Sequence, residues 1–188
     1  MSTSNLGTLF TPIPLLRWIE ENKDALKPPV GNKMVWQDER GTIIMIVGGP
    51  NARKDYHVNT TEEFFYQIKG DITLGIIHPD TGKPEEIIIR EGDIYLLPAN
   101  VPHSPQRPAD TIGLVVEQPR EAGVKDKLQW YSDDTHELVH EAEFQLENIE
   151  TDLKKIMGDF WSNEELRTCK STGSVIAPPT EAKAPPPA

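Results

Sequence analysis

The sequence is poor in cysteine and contains no long hydrophobic run. Cys169 is the only cysteine among 188 residues, which excludes an internal disulfide and a metal site built from several thiolates. No run of about 18 apolar residues is present, which excludes a membrane-spanning helix. The first residues, MSTSNLGTLFTPIP, have neither the basic region nor the apolar core of a signal peptide. From these absences we expect a cytoplasmic protein.

Positive charge is also scarce. The chain carries 19 lysines and arginines against 30 aspartates and glutamates, which gives a formal net charge of -11 at pH 7. Phosphate backbones and anionic lipid surfaces repel such a chain, so we expect neither nucleic acid nor a membrane as a partner. The length of 188 residues suits one domain with a sizeable core.

Short β-branched runs dominate the region from Met34 to Glu117. The six runs are TIIMIVGG, EEFFYQIKG, DITLGII, EEIIIREG, DIYLLPA and TIGLVVE, with turn residues between them. Many short strands at a spacing of roughly 8–12 residues are typical of a β-sandwich or barrel rather than of alternating strands and helices. We therefore predict an all-β core with a barrel over about residues 34–120.

A helical pattern precedes the β region. Thr11 can cap this helix and Pro12 suits its first turn, while Leu15, Leu16 and Ile19 recur at helical spacing. The segment KPPVGN then ends the helix, because proline lacks an N–H and disfavours helix on its N-terminal side.

A second helical pattern follows the β region. Leu153, Ile156 and Phe160 lie on one face of the predicted helix, and Ser162 with Glu165 forms a capping box for a last short helix.

The end of the chain has a different composition. Residues 177–188, APPTEAKAPPPA, have too few apolar side chains to pack, so we predict a disordered tail. The expected organisation is a single domain over residues 1–176 followed by this tail.

Two of the five histidines stand near other potential metal ligands. His57 lies in DYHVNTTEEFFYQIKG, six residues before Glu63, and His103 lies in EGDIYLLPANVPHSPQRP. Even separations along an extended strand place side chains on one face, unless a bulge within VNTT reverses the alternation. Inside a barrel, ionisable groups are costly unless they are paired or bind a metal. Two imidazoles and one carboxylate with open positions form the facial triad of non-haem Fe(II) oxygenases.

Simpler interpretations of these residues stay open at this point. The alternation places Arg53 on the face of His57 and Arg107 on the face of His103, but both arginines could be solvated. Glu63 could be a surface carboxylate.

The other histidines and the cysteine give weaker indications. His136 and His140 are four residues apart and could share a helix face that suits zinc, although no HExxH general base accompanies them. His78 precedes PDTG and is expected in a hairpin loop. Cys169 has no adjacent base and is expected to be an incidental thiol.

The two histidine segments resemble the two motifs of the cupin superfamily, and the sequence resembles the 3-hydroxyanthranilate 3,4-dioxygenase family more extensively. The stretches that carry this resemblance are LLRWIEENKDALKPPVGNKMVWQD, IVGGPNARKDYH, EEFFYQ, HSPQRP and WYSDDTHELVHEAEFQLENIETDL. They extend from about Leu15 to the final helix. The resemblance implies a single cupin, which is a jelly-roll β-barrel, with flanking N- and C-terminal helices.

The chain departs from the general cupin motifs at three positions. Asp55 stands where the first histidine is usual, Asn100 where glycine is common, and Arg107 where asparagine is common. The dioxygenase family shows the same departures, so they strengthen the specific resemblance.

The resemblance also implies the metal. Carried over residue by residue, it makes His57, Glu63 and His103 the ligands of one Fe(II) per subunit. Bacterial members often carry a second, rubredoxin-like iron held by two CxxC pairs. Here residues 132–135 contain no cysteine and the second pair keeps only Cys169, so we predict no second iron.

Substrate-binding and catalytic residues follow from the same resemblance. Arg53 and Arg107 would bind the substrate carboxylate, Glu117 would position the ring substituents and accept a proton or hydrogen bond from them, and Asn32 would lie near the bound oxygen and substrate.

The activity that the resemblance implies is oxidative ring opening. Such an enzyme converts 3-hydroxyanthranilate and O₂ to 2-amino-3-carboxymuconate semialdehyde, the precursor of quinolinate in NAD biosynthesis from tryptophan, the kynurenine pathway. The resemblance further implies a homodimer. Two alternatives are another metal cupin enzyme, such as a thiol dioxygenase or sugar-phosphate isomerase, and a non-catalytic cupin that binds a small carboxylate.

Overall fold

The computed structural model describes residues 12–27, 31–36, 41–149 and 151–186. Within these ranges the helices are α1 (Leu15–Glu21), α2 (Asp152–Ser162) and α3 (Glu164–Arg167), and a 3-10 turn spans Lys23–Leu26. The strands are β1 (Asn32–Met34), β2 (Ile43–Gly48), β3 (Asp55–Val58), β4 (Glu63–Lys69), β5 (Ile72–Ile77), β6 (Pro84–Ile89), β7 (Ile94–Leu97), β8 (His103–Gln106), β9 (Ile112–Glu117), β10 (Asp126–Tyr131) and β11 (Leu138–Phe144).

The strands form two antiparallel sheets. One sheet has five strands in the order β1-β2-β9-β4-β7, and the other has six in the order β11-β10-β3-β8-β5-β6. Neighbours in a sheet are mostly distant in sequence, as expected for a jelly roll in which the chain crosses repeatedly between sheets. The predicted fold class, an all-β jelly-roll barrel with flanking helices, is confirmed.

The main core lies between the two sheets. Met45, Phe65 and Val115 contribute to it from the five-stranded sheet, while Leu74 and Leu128 contribute from the six-stranded sheet. Successive side chains of a strand point to opposite faces, and β9 accordingly alternates between half-buried and buried residues along its length. The same alternation carries the strand's last residue, Glu117, into the interior.

The six-stranded sheet continues past the predicted end of the barrel at about residue 120. β10 pairs with β3, and β11 pairs with β10 from Leu138 to Phe144. The segment DKLQWY does alternate, since Asp126, Leu128 and Trp130 are buried and the residues between them are not. The polar residues at alternate positions made this strand less evident in the sequence than the continuous apolar runs.

The N-terminal helix begins later than predicted. α1 starts at Leu15 after Pro14, so Pro12 is outside its first turn, and Thr11 lies outside the described residues. Ile19 is buried and packs with Ile46 on the outer side of the five-stranded sheet. Leu16 is 74% exposed, so it does not belong to the packed face.

The predicted capping box of the last helix is wrong. Ser162 is still the final residue of α2, and its hydroxyl donates to the carbonyl of Asp159. Asn163 has an extended backbone, and its side chain accepts a hydrogen bond from the backbone N–H of Glu165. The cap therefore lies one residue later, because the two helices are separated by this single extended residue.

His136 and His140 do not share a helix face, a possibility that their spacing had left open. His136 lies in the turn before β11 with φ of 59°, and His140 lies within β11. The connection between β10, which ends at Tyr131, and β11 contains His136 in a left-handed conformation, so no helix runs across these residues.

The described part of the tail, residues 177–186, contains no helix or strand. Lys183 within it forms an ion pair with Glu86 of β6. The disorder of the tail and the domain boundary at residue 176 stay predictions. No helix in the described residues is both long and apolar enough to cross a membrane.

Candidate metal and substrate site

Three predicted ligands meet in the interior of the barrel. His57 and His103 pair directly across β3 and β8, and Glu63 is the first residue of β4 in the opposite sheet. One ligand atom from each residue lies within 4.8 Å of the others. All three side chains are buried, with exposures of 3% for His57, 5% for Glu63 and 2% for His103. The site is thus formed between the sheets and not along one face of a single strand.

The loop between β3 and β4 brings the carboxylate to the histidines. Asn59 closes this loop, because its side-chain oxygen accepts hydrogen bonds from the N–H of Thr61 at 2.8 Å and the hydroxyl of Thr61 at 2.9 Å. The chain then enters the other sheet with Glu63 pointing inward. Glu63 follows His57 by only six residues and still lies beside it, because the loop carries the chain from one sheet to the other. Alternation along a single strand did not predict this crossing.

The ligand carboxylate is incompletely satisfied. His103 Nε2 lies 3.0 Å from Glu63 Oε2, but the contact lacks hydrogen-bond geometry and this oxygen has no hydrogen-bond partner. Burial opposes the charge on both groups, yet their mutual attraction outweighs it, so the pKa of His103 is raised and that of Glu63 is lowered. A buried carboxylate oxygen without a donor, facing two imidazoles, fits a bound metal cation.

Asp55, which stands where the first cupin histidine is usual, is paired with Arg53. Arg53 Nε lies 3.3 and 3.2 Å from the two carboxylate oxygens of Asp55, and Arg53 Nη2 also contacts this carboxylate. Burial lowers the pKa of Arg53, but the neighbouring Asp55 charge outweighs this effect and the net shift is upward. Asp55 is therefore occupied by an ion pair and leaves the three-ligand set unchanged.

Arg107 is a buried cation with few partners. Its side chain is among the largest fully buried ones, at 1% exposure, and its Nη1 donates to the neutral amide oxygen of Gln67 at 3.2 Å. Its Nε has no partner. Burial lowers the pKa of Arg107 to about 10. A desolvated guanidinium with unused donors is suited to binding an anion such as a carboxylate.

Gly113 provides the space for this arginine. A Cβ atom at Gly113 would lie 2.7 Å from Arg107 Nη1 and 2.9 Å from Gln67 Oε1. Real Cβ contacts are not this short, so any other residue at position 113 would displace the guanidinium.

Glu117 is a buried carboxyl group next to the predicted ligands. It accepts hydrogen bonds from Arg120 Nη2 at 2.7 Å and from Asn59 Nδ2 at 3.2 Å. Burial and the nearby charge of Glu63 raise the pKa of Glu117 to about 8, against the opposing effect of Arg120. A carboxyl group with a pKa near neutrality can accept or release a proton.

All seven residues singled out in the sequence line one cavity. They are Asn32, Arg53, His57, Glu63, His103, Arg107 and Glu117. The cavity has a volume of about 50 Å³, and its apolar walls come from Met45, Val47, Phe65, Val115, Ile149 and Leu153. Asn32 Oδ1, like Glu63 Oε2 and Arg107 Nε, is buried without a hydrogen-bond partner. Unsatisfied polar atoms thus converge on this one cavity.

Two residues that contact the site were missed in the sequence. Asp126 Oδ2 lies 2.7 Å from His57 Nε2, and Arg120 bridges Asp126 and Glu117. Burial favours the neutral acid, but hydrogen bonds from His57 and Arg120 outweigh it and lower the pKa of Asp126 to about 2. The inward position of Asp126 in the alternating strand DKLQWY was the available signal, since a buried acid requires a partner.

Hydrogen bonds join the two segments in which bacterial members of the family often hold a second iron. Glu137 Oε2 accepts from the hydroxyls of Thr135 and Ser171, and from Cys169 Sγ at 3.8 Å. Among the described residues, the metal-binding geometry of three His, Cys, Asp or Glu side chains occurs at His57, Glu63 and His103. One metal ion per subunit stays a prediction.

Comparisons with known proteins agree with the site. The family model described as 3-hydroxyanthranilic acid dioxygenase matches residues 8–161. The chain is 54% identical over 162 residues to 3-hydroxyanthranilate 3,4-dioxygenase of Meyerozyma guilliermondii, covering 86% of this chain and 94% of that protein. It is 52% identical over 169 residues to the enzyme of the same name from Yarrowia lipolytica, covering 89% and 96% respectively.

A solved structure with detectable likeness is a more distant relative. A cupin-2 domain-containing protein from Shewanella frigidimarina is 14% identical, with a TM-score of 0.39 over 63% of this chain and 93% of that one. A likeness of this degree carries no argument, so the description of the fold rests on the strand order alone. The family match and the close relatives lead to one conclusion: the chain belongs to the 3-hydroxyanthranilic acid dioxygenase family.

Proposed function

We propose that this protein is a ring-opening dioxygenase that converts 3-hydroxyanthranilate and O₂ to 2-amino-3-carboxymuconate semialdehyde. This product is the precursor of quinolinate in the kynurenine route to NAD. The observation that carries the proposal is the cavity that a possible three-residue metal site shares with a buried arginine whose Nε donor is unused. Such a cavity suits an aromatic molecule that has a carboxylate at one edge and chelating groups at the other.

His57, Glu63 and His103 would hold Fe(II). Two imidazoles and a carboxylate are hard and borderline ligands that suit this ion, and three ligands leave positions open for substrate and O₂. Bound iron supplies the redox chemistry that lets triplet O₂ react with a closed-shell aromatic ring. Supporting this assignment, Glu63 Oε2 has no hydrogen-bond donor and lies in the interior beside both histidines.

The arginines orient the substrate. A planar guanidinium can donate two parallel hydrogen bonds to a carboxylate, which fixes the direction of the ring as well as its charge. Arg107 has the more available donors, because Arg53 is already paired with Asp55. We assign the main carboxylate contact to Arg107 and a supporting positive charge to Arg53.

Glu117 and Asn32 interact with the ring substituents. Glu117 accepts a proton or a hydrogen bond from the hydroxyl or amino group of the substrate, which its pKa near neutrality permits. The unpartnered Oδ1 of Asn32 can accept a second hydrogen bond from the same edge of the substrate. The apolar walls exclude water, which strengthens these polar contacts.

The cavity must widen when the substrate binds. Its volume of about 50 Å³ is far below the roughly 300–1,000 Å³ of typical ligand pockets. Ile149 lies in the irregular segment between β11 and α2, and Leu153 lies in the first turn of α2. These two side chains line the cavity from outside the sheets, so their movement is the least costly way to enlarge it.

We further propose a homodimer located in the cytoplasm. The edge strand β7 exposes Ile94 at 68% and Leu96 at 53%, and such an apolar edge favours association with another chain.

The experiment that tests the function is anaerobic reconstitution with Fe(II) followed by addition of 3-hydroxyanthranilate and O₂. We expect substrate-dependent oxygen uptake in equimolar amounts, with the absorbance change of ring opening. Substrate binding without oxygen uptake would instead indicate a non-catalytic carboxylate-binding protein. Turnover of another substrate that is indifferent to oxygen would indicate a different metal enzyme of this fold.

A further inference from the structure

A buried chain of ionisable groups links the predicted metal ligand His57 to Glu117. Asp126 Oδ2 lies 2.7 Å from His57 Nε2. Arg120 donates to Asp126 from Nε, at 2.9 Å to Oδ1, and from Nη2, at 2.6 Å to Oδ2. The same Nη2 donates to Glu117 Oε2 at 2.7 Å. One guanidinium therefore contacts both the carboxylate behind His57 and the carboxyl group of Glu117 itself.

We propose that Asp126 and Arg120 are positioning residues for the site. Asp126 holds His57 in the tautomer that carries its proton on Nε2, so the free lone pair is on Nδ1 and is available to a metal. Arg120 fixes Asp126 in this role and at the same time fixes Glu117. The inference rests on the metal site of the proposed function.

The hydrogen-bond chemistry determines the tautomer. A carboxylate can only accept hydrogen bonds, so His57 Nε2 must be the donor in its contact with Asp126. Metal-binding histidines commonly donate their second ring N–H to a carboxylate, which fixes the ring orientation and makes the other nitrogen a stronger ligand. His103 has an analogous contact, because its Nδ1 lies 3.1 Å from the carbonyl oxygen of Val101.

The chain of charges is more than a structural ion pair. The side chains of Arg120, Glu117 and Asp126 are 1%, 2% and 0% exposed. Buried ion pairs are often no more stabilising than apolar residues of similar size, so burial alone does not account for two acids and one arginine here. Each acid contacts the arginine on one side and a site residue or the cavity on the other.

The tautomer can be measured on the unaltered protein. Long-range ¹H–¹⁵N NMR of metal-free protein labelled at histidine nitrogen, with His57 assigned by comparison with His57→Gln, separates the two neutral forms by their nitrogen shifts. We expect His57 to carry its proton on Nε2 and to keep it through slow exchange with water. A proton on Nδ1 would overturn the proposal.

Metal affinity tests the role of Asp126. Asp126→Asn keeps the size of the side chain and removes its charge, and Glu141→Gln removes an ion pair with Lys127 on the opposite face of the same strand pair. Anaerobic titration with Fe(II), and with Co(II) as a spectroscopic probe, should show affinity reduced about 10- to 100-fold in Asp126→Asn. Glu141→Gln should stay within about twofold of the unaltered protein, as expected for an exposed pair.

The outcomes separate this inference from the proposed function. If the unaltered protein binds neither metal, the proposed function fails. If it binds metal and Asp126→Asn binds equally well with the same Co(II) spectrum, only the inference fails.

Arg120→Lys provides a second variant that keeps the charge. Lysine cannot donate to both carboxylates in the fork geometry of arginine, so kcat should fall by about tenfold or more through the misplaced Glu117. The pH profile of kcat should shift, while KM stays within about threefold. An unchanged pH profile and kcat would remove Arg120 from the positioning role even if Asp126 keeps it.

Discussion

The two faces of the six-stranded sheet present very different cavities. The inner cavity, between the sheets, has a volume of about 50 Å³, whereas a groove on the outer face has about 340 Å³. Neighbouring residues are divided between them, since His57 and His103 line the inner cavity while Tyr56 and Ser104 line the outer groove. The outer groove is the larger space, and the inner cavity differs from it in the cost of burying its charged groups.

The charged residues of the outer groove form ion pairs that are exposed to solvent. Lys54 Nζ lies 2.7 Å from Asp133 Oδ2, with exposures of 29% and 55%. Lys183 pairs with Glu86, with exposures of 62% and 43%. Exposed pairs of this kind contribute roughly 0–1 kcal/mol and are common on any acidic protein surface.

The inner cavity has charges that are buried and partly unpaired. Moving a charged group from water into a protein interior costs several kcal/mol. The hydrogen-bond partner of the Arg107 guanidinium is a neutral amide, which offsets little of this cost. A bound metal ion and the carboxylate of a substrate would offset this cost of burying charge in the inner cavity. The comparison can therefore be tested by substituting matched residues on the two faces.

Removing the carboxylate ligand should have the largest effect. Glu63→Ala leaves two imidazoles without an anionic ligand, so Fe(II) affinity should fall by more than about 100-fold. This loss is larger than the loss of affinity expected when a ligand only loses its hydrogen-bond partner. Ring-opening activity should be lost with the metal. Iron content after gel filtration and oxygen uptake measure both results, with Glu86→Ala of the outer groove as the control. Full activity at normal iron content in Glu63→Ala would remove this residue from the metal site.

Removing the substrate arginine should affect turnover and leave the metal in place. In Arg107→Ala, KM should rise and kcat should fall, with kcat/KM reduced about 30-fold or more, because losing a buried charged partner costs on the order of 2–5 kcal/mol. Iron content should stay near normal. Arg107→Lys keeps the charge without the two parallel donors and should give an intermediate loss. Loss of iron in Arg107→Ala would contradict the assigned role.

Metal binding near neutral pH should release protons. In the metal-free cavity the pKa of Glu117 is about 8, so most of this group is protonated at pH 7, and the pKa of His103 is raised because the charge of Glu63 outweighs burial. A cation disfavours these protons, so metal affinity should increase as the pH rises through the pKa of Glu117 and level off only well above it.

Calorimetry measures this proton release. Titrations at pH 7 in two buffers of different ionisation enthalpy should give different heats, and Glu117→Gln should release fewer protons than the unaltered protein. Identical heats in the two buffers would show that no proton leaves, which contradicts the pKa values of the metal-free cavity.

Substitutions in the outer groove should have the smallest effect. Lys54→Ala and Lys183→Ala remove exposed pairs, so the free energy of unfolding should change by less than about 1 kcal/mol. We expect kcat/KM within about twofold of the unaltered protein. A tenfold loss of activity in either variant would show that the outer groove contributes to the function, and the contrast between the two faces would fail.

The sequence was most informative where one physical effect dominates. The apolar runs of β2, β5 and β9 lie where the β-branched pattern predicted them, because burial between two sheets decides both the pattern and the structure. The motif residues of the site were likewise identifiable, since metal-ligand spacing within the two segments is rare by chance. Their convergence on one cavity agrees with the prediction, while their individual roles stay proposals.

The parts that escaped prediction depend on contacts between distant segments. Asp126 reaches His57 across 69 residues of sequence, and nothing near Asp126 in the chain indicates that partner. The helix cap moved from Ser162 to Asn163 because the path between α2 and α3 is set by packing and not by cap preference. Leu16 fits helical spacing yet remains exposed, because α1 packs on a sheet that covers a narrow face only.

Anomalous diffraction at the iron edge, from crystals of anaerobically reconstituted protein, tests the account most directly. We predict one strong peak per subunit, bounded by His57, Glu63 and His103, with no fourth side chain bound to it and with Arg107 across the cavity. A peak at another position, or a fourth protein ligand that closes the open positions, would contradict the account.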